Sequence, residues 1–182
     1  MSEDIFRGRL LAGEHIVWSG RPSQGIVFTP RDLFLVPFSL IWCGFAVFWT
    51  FGATAAVGAP SFFTLWGLGF VCVGLYFVFG RFIVDAWVRT DMRYAVTNQR
   101  ILIARPAPFS RFTVISLSRL PNVELVEQSN GRGTIRFGDV QPMWGNRGFG
   151  GWSPAFDPTP QFIAIDDVRR VFDLVQRAGA DR

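Results

Sequence analysis

One uncharged stretch constrains this chain more than any other feature. Residues 33–80 contain no Asp, Glu, Lys, Arg or His over 48 consecutive positions. A helix needs about 20 apolar residues to cross a hydrocarbon layer about 30 Å thick. The stretch is therefore long enough for two crossings, and Gly58, Pro60 and Ser61 interrupt it near its middle. We predict a helical hairpin with spans at 33–57 and 62–84.

Three other interpretations of this stretch fit the residues less well than the hairpin. A pair of helices buried in a soluble core would normally keep a polar face, and neither half has one. Ala53-Thr54-Ala55 has the spacing of a signal-peptide cleavage site, but the apolar run is too long and a second span follows at once. The alternation of a membrane β-strand is absent. The hairpin is favoured over all three.

The placement of arginine predicts the orientation of the hairpin. All 18 basic residues are Arg, and the segment between the two spans carries no charge. Arginine is enriched on the cytoplasmic side of membrane spans, so we predict a multi-pass protein of the inner cell membrane with both termini cytoplasmic. The arginines that flank the spans are Arg7, Arg9, Arg21, Arg31, Arg81, Arg89 and Arg93.

The polar parts of the chain predict one small β-rich domain. After the second span the apolar period changes from helical to two, which is typical of strands. Strands are predicted at 93–97, 100–104, 112–117, 123–128, 134–137 and 161–165, with an edge strand at 14–20 and a short extended piece at 26–29. An amphipathic helix is predicted from Asp166 or Asp167 to about Ala178, with Gly179 as its stop.

These elements divide the chain into three parts and predict an α+β fold class. Residues 1–32 form a cytoplasmic N-terminal segment, residues 33–84 the transmembrane hairpin, and residues 85–182 a cytoplasmic domain. Within that domain, residues 139–161 are rich in Gly, Pro and Trp. Loops of this length without regular structure are usually functional or disordered.

Several segments of the sequence are similar to a known family. Residues 94–103, YAVTNQRILI, resemble the Tyr-x-x-Thr-x-x-Arg opening of bacterial pleckstrin-homology-like (PH-like) domains of the YdbS type. Residues 13–22, GEHIVWSGRP, are similar to the Gly-Glu-x-x-x-Trp-x-Gly-x-Pro start of many members. Residues 115–123 and 162–168 are similar to the middle strand and to the strand-to-helix junction of the family. The long insert at 139–161 departs from its compact pattern.

The resemblance implies a fold and an arrangement. It implies a PH-like antiparallel barrel or bent sheet closed by a C-terminal helix, mounted on one or two transmembrane helices. It implies no enzyme activity, and the ligands of the family are mostly unknown.

The residues themselves also favour a protein without catalytic activity. His15 is the single histidine, and Cys43 and Cys72 lie in the spans without partners for a metal. Asp139 and Asp157 flank the glycine-rich loop, where acids that cap turns are the more ordinary explanation. We therefore predict no enzyme activity, no cofactor and no metal site. Gly67, Gly69 and Gly74 are predicted to let the two spans approach closely.

Binding is then the expected role, and two classes of ligand remain open. The first is a protein partner, contacted through a sheet edge or through aromatic residues of the 139–161 loop, which makes the domain a membrane-tethered scaffold. The second is an anionic lipid headgroup. Nucleic acid is not expected because the arginines do not cluster, and a second copy of the chain remains open as a further partner. The candidate binding residues are Arg100, Arg132, Arg136, Trp144, Phe149 and Trp152.

Overall fold

The computed structural model describes residues 4–55, 60–105, 110–128, 131–138 and 153–180. The chain divides into two compact units. One comprises residues Ile26–Val84, and the other joins Met1–Gly25 to Asp85–Arg182. The N-terminal segment thus belongs to the same unit as the residues that follow the apolar stretch.

The unit Ile26–Val84 is built from two long apolar helices. Helix α2 spans Asp32–Ala55, and helix α3 spans Ser61–Leu75. Helix α2 and the continuous helix Ser61–Thr90, of which α3 is the first part, are long and apolar enough to cross a membrane, and only 17% and 11% of their most apolar segments are buried. A core helix of a soluble protein would be mostly buried instead, so this exposure of apolar side chains fits lipid as the surrounding solvent.

Close helix packing in this unit depends on glycine at two of the three predicted positions. A Cβ atom at Gly74 would lie 3.0 Å from the Cα of Cys43, and one at Gly67 would collide with the Thr50 side chain. Nothing lies within 4 Å of the corresponding position at Gly69. The prediction is therefore confirmed for Gly67 and Gly74 and wrong for Gly69, which lies on the open side of α3.

The second long helix extends further than predicted. A π-helical turn at Tyr76–Gly80 follows α3, and helix α4 then continues over Arg81–Thr90. The helix thus continues past Val84, the predicted end of the second span, and Val84 is also the last residue of the apolar unit. Arg81 is retained within the helix because its guanidinium is buried against Asp32 at the start of α2, with Nη1 and Oδ1 2.7 Å apart.

The first sheet contains four antiparallel strands. They are β1 (Ile16–Gly20), β2 (Arg93–Thr97), β3 (Arg100–Arg105) and β4 (Arg111–Ser116), in the order β1-β2-β3-β4. The predicted edge strand is confirmed because β1 pairs with β2 alone in this order. Residues 26–29, predicted to be extended, form no strand. Strands β2 and β3 are buried almost throughout, and on one face a short helix, α1 (Asp4–Arg7), covers them by inserting Phe6 against Ala95 and Leu102.

The second sheet contains three antiparallel strands and precedes the last helix. They are β5 (Val123–Glu127), β6 (Gly133–Phe137) and β7 (Gln161–Ile165), and helix α5 spans Val168–Ala180. The apolar side of α5 is buried through Val168, Val171 and Val175, as its spacing predicts. Gly179 does not end the helix, contrary to prediction. It lies inside α5, where a Cβ would come within 2.6 Å of the Leu120 side chain.

These elements confirm the α+β class. Among the described residues the two sheets do not close into a barrel. The PH-like fold therefore stays a prediction.

Candidate functional site

Arg100, the first candidate binding residue, is part of a buried ion pair. Its Nε and Nη2 atoms donate to the two carboxylate oxygens of Glu14 at 2.8 and 2.9 Å. The Glu14 carboxylate also accepts from the Thr97 hydroxyl at 2.7 Å and from the Leu11 amide at 2.7 Å. The Glu14 side chain is fully buried, so this guanidinium fixes the N-terminal segment to the β2–β3 hairpin.

The charge on Glu14 is maintained by these contacts. Burial alone would raise the pKa of the carboxyl group, because it disfavours the charged form. Hydrogen bonds from Arg100, Leu11 and Thr97 outweigh burial and lower the pKa of Glu14 to about 2. Glu14 is therefore ionised at neutral pH.

Three of the four sequence segments that carry the family resemblance meet through their aromatic residues. The ring of Phe162 lies 4.7 Å from that of Tyr94 and 5.5 Å from that of Trp18, measured between centroids. The Tyr94 hydroxyl accepts a hydrogen bond from the Ile163 amide at 3.1 Å. Burial raises the pKa of Tyr94 above its usual value. These contacts hold the three segments together within one unit of the chain.

Arg132 and Arg136 are paired with carboxylates as well. Arg132 lies 2.8 Å from Asp166, and both side chains are more than half exposed. Arg136 lies 3.5 Å from Glu124, and its Nε donates to the Gln161 side chain at 3.4 Å. Arg100, Arg132 and Arg136 thus lie on separate elements with separate carboxylate partners, and the structure does not bring them together into one site.

The aromatic candidates Trp144, Phe149 and Trp152 lie outside the described residues, as does Asp139. Asp157 is described, and its Oδ1 accepts from the Thr159 amide at 3.0 Å. This is the turn-capping role predicted for it. His15 is exposed. The described residues contain no group of three or more His, Cys, Asp or Glu side chains that could hold a metal ion.

A buried polar cluster that the sequence did not reveal lies at the end of α4. Asp85 accepts from Arg89 Nε at 2.7 Å, from the Ser153 hydroxyl at 2.5 Å and from the Ala155 amide at 2.9 Å. Arg89 is fully buried, and its guanidinium also donates to the carbonyl oxygens of Ser23 and Gly25. The cluster joins the last turns of α4 to segments distant in the sequence. The i, i+4 spacing of Asp85 and Arg89 was visible, but their burial was not.

A small cleft with two arginines lies at the end of the β3–β4 hairpin. Arg105 and Arg111 face each other directly across the two strands. Thr113, Asp157, Thr159 and Gln161 also line the cleft, which measures about 30 Å³. Arg105 Nη1 donates to the Ala155 carbonyl at 2.6 Å, whereas Arg111 is exposed and makes no ion pair with any residue described. The strand register, which places both residues at the hairpin end, was the signal available in the sequence.

In this cleft the guanidinium groups of Arg105 and Arg111 repel each other. Burial lowers the pKa of the Arg105 guanidinium, and the neighbouring charge of Arg111 lowers it further. Like charges directly opposite each other on paired strands are destabilising.

Comparison with known proteins identifies no relative. No family model matches the sequence, no curated protein is significantly similar, and no solved structure matches the fold.

Proposed function

We propose that this chain is a non-catalytic, membrane-tethered interaction module that binds a protein partner at the cytoplasmic surface. In this proposal α2 and the helix that begins at Ser61 cross the inner membrane, and both termini are cytoplasmic. The exposed apolar surface of both helices and the arginines on either side of them support this topology.

The observation that carries the proposal is the path of the second long helix. The helix begins in the apolar unit at Ser61 and continues to Thr90, and its residues from Asp85 onward belong to the β-rich unit. Asp85 and Arg89 are buried there in a network of hydrogen bonds. Removing one partner of a buried ion pair costs about 3–5 kcal/mol. A domain held to a membrane helix in this way is suited to present a surface at a fixed place in the cell.

The exposed edge of the four-stranded sheet is the surface that we assign to the partner. Strand β4 is the last in the order β1-β2-β3-β4, and Val114 on it is 43% exposed. An edge strand offers main-chain donors and acceptors to an extended peptide. The succession of a four-stranded sheet, a three-stranded sheet and one helix supports the PH-like resemblance on which the scaffold proposal also rests.

Site-specific photocrosslinking in cells tests this assignment. We expect a crosslinker at Val114 to capture a discrete protein, and one at Arg170, exposed on α5, to capture none. Val114→Lys in a chain with the crosslinker at Ser116 should abolish capture, because lysine on an edge strand opposes strand addition. Equal capture from both positions, or capture unaffected by Val114→Lys, would contradict the proposed surface.

Recognition of anionic lipid is the second candidate function. Arg100, Arg132 and Arg136 support it weakly because each already has a carboxylate partner. The facing pair Arg105 and Arg111 is the observation that favours it.

A further inference from the structure

The cleft beside Arg105 and Arg111 has features that favour the binding of an anion. The two residues are direct cross-strand partners, so their guanidinium groups extend from neighbouring backbone positions. Facing like charges destabilise paired strands. A bound anion would turn this repulsion into two favourable interactions.

The position of Arg105 is fixed by its surroundings. Its Nη1 donates to the Ala155 carbonyl at 2.6 Å, and its guanidinium carbon lies 5.8 Å from the centroid of the Phe156 ring. Arg111 is exposed and makes no ion pair with any residue in the described part of the chain. One arginine is therefore held in place, and the other is available to close on a ligand.

The remaining lining residues limit the charge and the donors of the site. The other polar lining residues are Thr113, Thr159, Gln161 and Asp157, of which Asp157 contributes one carboxylate, and the rest of the lining is apolar. Oδ1 of Asp157 is already engaged by the Thr159 amide. Two guanidinium groups against one carboxylate leave a formal charge of one positive unit, which suits an anion of low charge.

The size of the cleft restricts the ligand further. A cavity needs about 10–15 Å³ to hold one water molecule, so a cleft of about 30 Å³ accommodates roughly two. A sugar or a nucleoside is too large to enter. Two of the oxygen atoms of one oxyanion would fill this space, and guanidinium groups bind phosphate oxygens with paired hydrogen bonds.

We propose that Arg105 and Arg111 form a binding site for one phosphate-class oxyanion, with Thr113 as an additional donor. Free phosphate and the phosphate group of a lipid share this chemistry. Arg111 and Thr113 alternate with Val114 along β4, so their side chains lie on the opposite face of the sheet from Val114. Phosphate binding and capture of a protein at Val114 are therefore separate measurements, and either proposal can fail without the other.

Calorimetric titration of the full-length protein in detergent tests the site, with inorganic phosphate as the probe and chloride at equal ionic strength as the reference. We expect phosphate to bind, and Arg111→Gln to weaken its binding by about tenfold or more, because a hydrogen bond to a charged group is lost. Arg169→Gln is the matched control, since Arg169 is also exposed but is paired with Glu127, and it should bind phosphate as the unmodified protein does. Thermal unfolding of both variants checks that they are folded.

Reconstitution into nanodiscs distinguishes the two sources of phosphate. If the site takes free phosphate, phosphatidylglycerol discs should weaken phosphate binding by the same factor in the unmodified protein and in Arg111→Gln, because a negatively charged surface repels phosphate equally in both. If it takes a lipid headgroup, phosphatidylglycerol should weaken phosphate binding by a larger factor in the unmodified protein than in Arg111→Gln, because the headgroup also competes for the intact site. Absence of phosphate binding in detergent and in phosphatidylcholine discs would overturn the proposal, as would equal binding by Arg111→Gln and the unmodified protein.

Discussion

Glu14 shows how this protein retains a buried charge in a small domain. Moving a carboxylate out of water is costly unless hydrogen bonds and an opposite charge compensate for it. Glu14 obtains both from Arg100, Thr97 and Leu11, all within 2.9 Å. The resulting cluster connects the N-terminal segment to the β2–β3 hairpin, so the state of one carboxyl group affects how two distant parts of the chain are held together.

The lowered pKa of Glu14 predicts a specific dependence of stability on pH. The folded-state pKa of about 2 lies below the ordinary value of 4.5, so the ionised carboxylate stabilises the fold above about pH 4.5. This contribution should be lost as the pH falls from 4.5 towards 2. We expect Glu14→Gln to lower the Tm of the full-length protein at pH 7, and the difference from the unmodified protein to shrink below pH 4.5.

Glu124→Gln provides the comparison for this experiment. Glu124 is 44% exposed and lies 3.5 Å from Arg136, and exposed pairs contribute about 0–1 kcal/mol. This variant should change the Tm little at pH 7. A Tm difference for Glu14→Gln that stays constant from pH 7 to pH 3 would show that the Glu14 charge does not stabilise the fold.

Single glycine residues allow helices α2 and α3 to approach each other closely. The absence of a side chain at Gly74 lets α3 contact the backbone of α2 at Cys43. Small residues allow membrane helices to pack by van der Waals contact, because lipid provides no hydrophobic drive for their association. Gly69 follows Gly67 by two residues, about 200° around the helix, and nothing lies within 4 Å of the position that its Cβ would take.

A disulfide test follows from this geometry. A Cβ at position 74 would lie 3.0 Å from the Cβ of Cys43, which is below the roughly 3.5–4.5 Å typical of a disulfide, so α3 has to move slightly away from α2 for the bond to form. In a Cys72→Ser background we expect Gly74→Cys to form an intramolecular disulfide with Cys43 on oxidation, detected by mass spectrometry. Gly69→Cys is the control and should remain reduced. Equal oxidation of both variants would contradict the packing of α2 against α3.

The elements themselves were largely predictable, whereas their side-chain partners were not. Apolar periodicity predicts β2, β3 and α5 because the period of burial is local to each element. The continuation of the helix through Arg81 to Thr90 could not be predicted, since it depends on Asp32 and on a buried network formed by residues far away in sequence. For the same reason the sequence presented Arg100 as a candidate ligand residue, although Glu14 neutralises it.

At the scale of the whole molecule, the apolar stretch predicts both location and topology. Side chains such as Phe48 and Phe51 are 77% and 76% exposed, and exposed apolar area costs about 25 cal/mol per Å² in water. We expect the full-length protein to sediment with membranes and to resist extraction by alkaline carbonate. Peripheral proteins are released by that treatment, so release into the soluble fraction would contradict a spanning hairpin.

Topology is then tested by cysteine labelling in intact cells with a reagent that does not cross the inner membrane. In a Cys43→Ser, Cys72→Ser background, a cysteine at Ala59, between the two spans, should be labelled from outside. A cysteine at Ser2 or at Asp181 should be labelled only after the cells are lysed. We expect this labelling pattern because short segments rich in arginine that flank membrane spans stay on the cytoplasmic side. Labelling of Ser2→Cys or Asp181→Cys in intact cells would place the β-rich unit outside, where a cytoplasmic partner could not reach it.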